Sequence, residues 1–161
     1  VKFINAESVL YQIAAALQEC HLEAILIGNA AAALQGAPVT TLDFDFMFRK
    51  TPANLKKLKL LAACLHGQLM KPFYPASALY RLMVEEKGLQ LDFMPTIHGI
   101  RSFASLRSRA TQVSFGKYTL LVADLGDIIR SKKALSRPKD NAVLEILEKV
   151  LHEKRNWNKE K

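Results

Sequence analysis

The segment Leu42-Asp-Phe-Asp-Phe-Met-Phe48 alternates acidic and aromatic side chains with a period of two. That period belongs to a strand, whose successive side chains point to opposite faces, so Asp43 and Asp45 share one face. Upstream, Glu23-Ala-Ile-Leu-Ile-Gly28 reads as a buried strand ending at a glycine, and the alanine-rich run from Asn29 to Leu34 restarts as a helix. Gly36 and Pro38 break that helix. Strand, glycine turn, helix and acid-bearing strand in succession restrict the chain to a mixed α/β core.

The rest of the sequence extends the same pattern. From Ala6 to about Cys20, Val9, Leu10, Ile13, Ala14 and Leu17 fall at helical spacing, with Asn5 as a candidate cap. Thr51 and Pro52 start another helix, whose stripe of Leu55, Leu58, Leu61, Ala62 and Leu65 runs to Gly67 and whose other face holds Lys56, Lys57 and Lys59. After a loop with Pro72 and Pro75, residues 80–85 and 89–94 read as a hairpin around Glu86-Lys-Gly88, and its second strand carries Asp92.

A basic helical stretch with Arg101, Arg107 and Arg109 precedes a second hairpin, residues 111–115 and 118–122. Two helices close the chain, one from near Asp124 to around Leu135 and one from Pro138. The polar tail from Lys154 is expected to fray. Without repeats or linkers, residues 1–161 are expected to form one domain, with a core of about 6–123 and a helical part of about 124–155.

Composition narrows the function classes. Of 161 residues, 50% are hydrophobic and 24% charged, enough to bury a core and too apolar for a disordered chain. The longest mostly apolar stretch, Ala24 to Leu34, is shorter than the roughly 20 residues of a membrane span and is interrupted by Gly28 and Asn29. The first residues mix polar with apolar and lack the block of a signal peptide. Cys20 and Cys64 show no CxxC spacing, which suits buried thiols in a reducing cytoplasm better than a disulfide framework. The four histidines show no zinc-binding spacing.

Three carboxylates on strands, Asp43, Asp45 and Asp92, call for a counter-charge, because burying an ionised carboxylate alone costs several kcal/mol. Oxygen-only ligands indicate Mg²⁺ or Mn²⁺, and two aspartates separated by one residue aim at one point. A third from another strand completes an acidic site for two metals about 4 Å apart, the arrangement of phosphoryl transfer. A glycine at the strand-to-helix turn lets a phosphate approach backbone N–H groups, which makes Gly28 and Asn29 candidates for the phosphates. Each feature also has a plainer reading: solvent-facing aspartates, a tight turn, and Lys132, Lys133 and Arg137 as cations suited to helix ends.

The order of these segments resembles the DNA polymerase β-like nucleotidyltransferase superfamily: a hydrophobic strand, GG or GS, a gap of about ten residues, DxD, and a later acidic residue. Leu26-Ile-Gly-Asn29, Leu42-Asp-Phe-Asp45 and Asp92 occupy those places. Gln35-Gly-Ala-Pro-Val-Thr-Thr-Leu-Asp43 is similar to the HGxPRxTxD segment of the small bacterial branch that includes AbiEii-type toxin nucleotidyltransferases. Lys132 through Arg137-Pro-Lys-Asp140 is similar to the end of that branch, so the match spans about Ile25 to Leu147.

The resemblance implies a nucleotidyltransferase fold, with a mixed β-sheet flanked by helices and C-terminal helices. It further implies that Asp43 and Asp45 hold both metals, that Asp92 holds the catalytic metal and takes a proton from the attacking hydroxyl, and that Gly28 and Asn29 position the phosphates. Lys132, Lys133 and Arg137 would then meet phosphate charge. Two positions depart from the pattern: Asn29 stands where Gly or Ser is usual, and Val39 where Arg is expected. The expected function is Mg²⁺-dependent transfer of an NMP from an NTP to RNA, protein or a small molecule, in the setting of a toxin–antitoxin pair. The alternative is a catalytically silent module that binds nucleic acid or a protein.

The formal charge of +8 favours a polyanionic partner. It is unevenly spread: residues 1–100 carry 9 Lys+Arg against 8 Asp+Glu, and residues 101–161 carry 14 against 7.

Overall fold

The computed structural model describes residues 6–39, 41, 43–72 and 78–161, with the side chains of residues 6–8 excepted. Asn5, Thr40, Leu42 and Pro75 lie outside the described residues. Helix α1 (Ala6–Glu19) leads to β1 (Ala24–Ile27), α2 (Gly28–Leu34), β2 (Asp43–Phe48), α3 (Pro52–Cys64), β3 (Gln68–Met70), β4 (Tyr80–Val84) and β5 (Leu89–Met94). Then come α4 (Phe103–Arg109), β6 (Thr111–Phe115), β7 (Tyr118–Val122), α5 (Leu125–Leu135) and α6 (Pro138–Lys159).

One seven-stranded sheet has the order β3-β4-β5-β2-β1-β7-β6. It is mixed: β1 runs parallel to β7 and antiparallel to β2, while β2 runs parallel to β5. The two hairpins expected from sequence, β4–β5 and β6–β7, form the flanks with antiparallel pairing. The sheet is covered as its residues dictate. All four residues of β1 are buried, as befits a central apolar strand, whereas β2 exposes Asp43 and buries Phe44, Phe46, Met47 and Phe48. Phe46 stacks on Phe93 of β5 with ring centroids 5.1 Å apart. Ile13, Ala14 and Leu17 of α1 and Leu58 and Leu61 of α3 complete that core.

Local chemistry fixes the helix boundaries. The Thr51 hydroxyl accepts a hydrogen bond from the Asn54 N–H at 3.1 Å while Pro52 occupies the first turn, which starts α3. Asp124 caps α5 through the Gly126 N–H at 3.0 Å. Gln35, after α2, donates to the Ala123 carbonyl at 2.8 Å and so ties the end of α2 to the end of β7.

Two expectations are corrected. Residues 68–70 form the short strand β3 on the sheet edge, where a loop was expected; its side chains alternate exposed and half-buried, too weak a pattern to read over three residues. The tail from Lys154 does not fray: α6 continues to Lys159. Its exposed residues 154–159 are rich in helix-forming Lys and Arg, and Asn156 Nδ2 contacts His152 Nε2 one turn back at 3.1 Å. Among the described residues no helix is long and apolar enough to cross a membrane.

Candidate active site

The site forms where β1 ends against β2. Ile27, the last residue of β1, pairs with Asp45, and on its other side Asp45 pairs with Asp92 of β5. The chain then turns at Gly28, whose φ of +68° lies in the left-handed region. A Cβ there would stand 3.0 Å from Asp45 Oδ2, so the glycine allows both the turn and the close approach of the carboxylate.

Gly28, Asn29, Asp43, Asp45, Lys132 and Arg137 line a cavity of about 380 Å³. Asn29 contributes a buried Oδ1 with no hydrogen-bond partner among the described residues. Val39, where the resemblance led us to expect an arginine, packs half-buried against the hydrophobic core. Burial pushes the Asp45 carboxyl up to about 6, and the charges of Asp92 and Asp43 add to the rise, while Lys132 and Arg137 oppose it.

Asp92 is differently placed. It is buried and does not line the cavity. Arg81, its cross-strand neighbour on β4, grips both oxygens: Nε donates to Oδ1 at 2.9 Å and Nη2 to Oδ2 at 3.1 Å. Gln90 Nε2 also donates to Oδ2 at 3.1 Å. This bidentate pair gives Asp92 the counter-charge that a cation was expected to supply.

The basic residues separate in the same way. Lys132 is buried, its Nζ 3.4 Å from Asp140 Oδ1, and Arg137 Nε donates to Asp140 Oδ2 at 2.7 Å. Burial pushes the Asp140 carboxyl up, but the hydrogen bond from Arg137 and the charge of Lys132 outweigh it and hold it below the usual value. Lys133 pairs with Glu148 at 2.7 Å and is not among the cavity residues. The cavity also contains Asp127, buried on α5 and neutralised by Arg109 at 2.8 Å and Arg130 at 2.6 Å.

Sequence reasoning passed over Arg81, because its role comes from strand register. It also passed over Asp127, which a signal could have found: Asp127 stands in the first turn of α5, directly before Ile128 and Ile129, and all three are buried.

Asp43, Asp45 and the unpartnered Asn29 oxygen form an oxygen donor set that fits one hard cation, Mg²⁺ or Mn²⁺. With both oxygens engaged by Arg81 and Gln90, Asp92 adds no free ligand as arranged. Accordingly, no group of three His, Cys, Asp or Glu side chains is positioned to hold a metal among the described residues.

No protein-family model matches the sequence, and no curated protein matches it. Solved structures do match in fold. The lincosamide adenylyltransferase LnuA, solved with lincomycin bound, is 11% identical with a TM-score of 0.64, over 93% of this chain and 99% of that one. The Thermotoga maritima nucleotidyltransferase-type protein TM1012 is 18% identical with a TM-score of 0.61, over 99% and 97%. ANT(2″)-Ia, in complex with adenylyl-2″-tobramycin, is 15% identical with a TM-score of 0.60, over 96% and 98%.

The chain has the nucleotidyltransferase fold. That fold places the two strands that carry Asp45 and Asp92 side by side here, with Gly28 directly after the end of the adjoining β1.

Proposed function

We propose that the protein is a Mg²⁺-dependent nucleotidyltransferase that moves an NMP from an NTP to an acceptor. The observation that carries this reading is the close approach of the Asp45 carboxylate to the turn at Gly28, with Gly28, Asn29, Asp43 and Asp45 lining one cavity. Asp43 and Asp45 would hold the cation, which when bound neutralises the oxygens that attack and leave during in-line displacement. Gly28 and Asn29 would position the triphosphate, and Lys132 and Arg137, which line the same cavity, would steady the departing pyrophosphate.

In the reaction an acceptor oxygen bonds to the α-phosphorus, the bond to the pyrophosphate oxygen breaks, and pyrophosphate leaves with its electron pair. Asp92 is assigned the acceptor's proton, a role that requires Arg81 to release one oxygen. An incoming triphosphate offers Arg81 another anion to bind. Lys133, paired with Glu148, is assigned no part in this reaction.

Acceptors under this reading are RNA, protein or a small molecule, the last suggested by the antibiotics bound to LnuA and ANT(2″)-Ia. A toxin–antitoxin setting and a cytoplasmic location belong to the same proposal, as does one domain over residues 1–161. The test is labelling with each of the four α-labelled NTPs and Mg²⁺ against total RNA, protein and small-molecule extracts. Transfer by the wild type that Asp43→Asn abolishes is expected; no transfer, or equal transfer by the variant, refutes the enzyme.

The Arg81–Asp92 pair favours a second reading, a catalytically silent module that binds a nucleic acid or a protein. In that case Arg81→Ala leaves the protein without transferase activity under every condition above.

A further inference from the structure

The chain has two cysteines, Cys20 and Cys64, separated by 44 positions, and the fold brings them together. Cys20 follows the last turn of α1, and Cys64 is the last residue of α3. Their sulfurs lie 3.7 Å apart, in contact as thiols. The segment between them contains β1, α2 and β2, which carry Gly28, Asn29, Asp43 and Asp45.

Neither end of the contact is free to drift. Each helix terminates in a backbone turn through a left-handed residue, His21 at φ 54° after α1 and His66 at φ 55° after α3. Leu22 N–H donates to the Leu17 carbonyl at 3.0 Å and Gly67 N–H to the Ala62 carbonyl at 2.9 Å, closing both ends. Leu17, Leu22, Leu61 and Leu65 are buried around the two sulfurs' parent turns and anchor them in the core. Both cysteines therefore sit on rigid termini, and closing the gap to a bond of about 2.05 Å asks chiefly for side-chain rotation. A metal is not the alternative: among the described residues, no cluster of three His, Cys, Asp or Glu side chains surrounds the pair.

We propose that Cys20 and Cys64 are a modification site, a dithiol that an oxidising disulfide such as oxidised glutathione converts to an intramolecular disulfide joining the ends of α1 and α3.

The two cysteines have distinct parts. Cys64 is exposed and Cys20 is buried. Burial, together with the neighbouring Cys64 thiol, pushes the Cys20 thiol up to about 11, so the exposed Cys64 is the first to react. The Cys64 thiolate attacks one sulfur of oxidised glutathione, forming a mixed disulfide and releasing one glutathione thiolate. Cys20 then loses its proton to solvent and attacks the Cys64 sulfur, and the second glutathione leaves as a thiolate. Both leaving groups take up protons. The protein has lost two hydrogens and two electrons, and one glutathione disulfide has become two thiols.

The consequence lies in the unfolded chain. A cross-link over 44 positions removes loop entropy from the denatured ensemble, and the native helices already hold the sulfurs near each other. A rise in melting temperature of roughly 10 °C is expected for the oxidised form.

The test treats the full chain with oxidised glutathione at pH 8, then counts free thiols after denaturation, measures intact mass and records melting. The wild type should lose both thiols, lose the mass of two hydrogens, remain a monomer on a non-reducing gel and melt higher until dithiothreitol is added. Cys20→Ser should instead keep a glutathione adduct on Cys64, since nothing resolves it. Cys64→Ser should retain its buried thiol. Persistence of both thiols, a stable glutathione adduct on the wild type, or disulfide-linked dimers would overturn the proposal. Because thiol counts and mass are read on the wild type as well, poor folding of either serine variant does not remove the test.

Discussion

Arg81 and Asp92 face each other across an antiparallel strand pair, and Arg81 donates two hydrogen bonds to the Asp92 carboxylate, at 2.9 and 3.1 Å, beside the two cavity-lining aspartates. Truncating the arginine strands a buried carboxylate. Since Arg81 is itself partly exposed, the loss should fall below the 3–5 kcal/mol of a fully buried pair, at about 2 kcal/mol for Arg81→Ala. Freed oxygens on Asp92 should also tighten binding of Mn²⁺. Urea denaturation and Mn²⁺ titration by calorimetry check both. Unchanged stability together with unchanged Mn²⁺ binding would show that the pair neither neutralises Asp92 nor withholds it.

Asp45 supplies a pH signature in metal-free buffer. Its folded value of about 6 lies above the ordinary 3.8, so the folded protein holds this proton more tightly than the unfolded chain. Stability from this group is therefore complete below about pH 4 and declines as pH rises toward 6 and beyond, by up to roughly 3 kcal/mol. Asp45→Asn should flatten that decline and melt higher than the wild type at pH 8. Mg²⁺ should raise the melting temperature of the wild type at pH 8 and leave the variant unmoved. Parallel melting curves for the two proteins from pH 4 to pH 8 would contradict the assignment.

What the sequence revealed follows from what each residue answers to. The period-two pattern of β2 and the apolar run of β1 arise from burial on the sheet, so Asp43, Asp45 and the turn at Gly28 were legible without coordinates. Asp92 was legible as an acid on a strand, yet its neutralisation was not. That depends on which residue of β4 stands opposite, a matter of register between strands. Lys132 and Lys133 looked alike as neighbours at a helix end. Lys132, however, lies three and four positions after Ile129 and Ile128, both buried, and that spacing places it on the inward face. The proximity of Cys20 to Cys64 left no local trace, since it results from the packing of α1 beside α3.

Gly28 is required by backbone and neighbour together. Gly28→Ala must adopt a φ of +68° and seat its Cβ 3.0 Å from Asp45 Oδ2. The left-handed conformation alone costs about 1–2 kcal/mol, and the displaced carboxylate adds to it. A loss of about 2 kcal/mol in urea denaturation is expected, with a transferase activity reduced at least tenfold. An alanine variant as stable as the wild type would mean that the turn relaxes without moving Asp45.

Lys132 and Lys133 provide a contrast within one helical turn. Lys132 is buried and shares Asp140 with Arg137, whereas Lys133 is more than half exposed and reaches only Glu148. Removing Lys132 leaves Asp140 with one cation instead of two and takes positive charge from the cavity that also holds Asp45. Lys132→Met keeps the apolar stem, so its effect isolates the charge; it should cost about 1–2 kcal/mol and lower transfer roughly 100-fold. Lys133→Met changes an exposed pair and should stay within about 0.5 kcal/mol of the wild type with transfer retained. The comparison uses chemical denaturation and the labelling assay side by side. If the two variants behave alike, the burial of Lys132 has no functional meaning and the cationic wall of the cavity must be assigned to Arg137 alone.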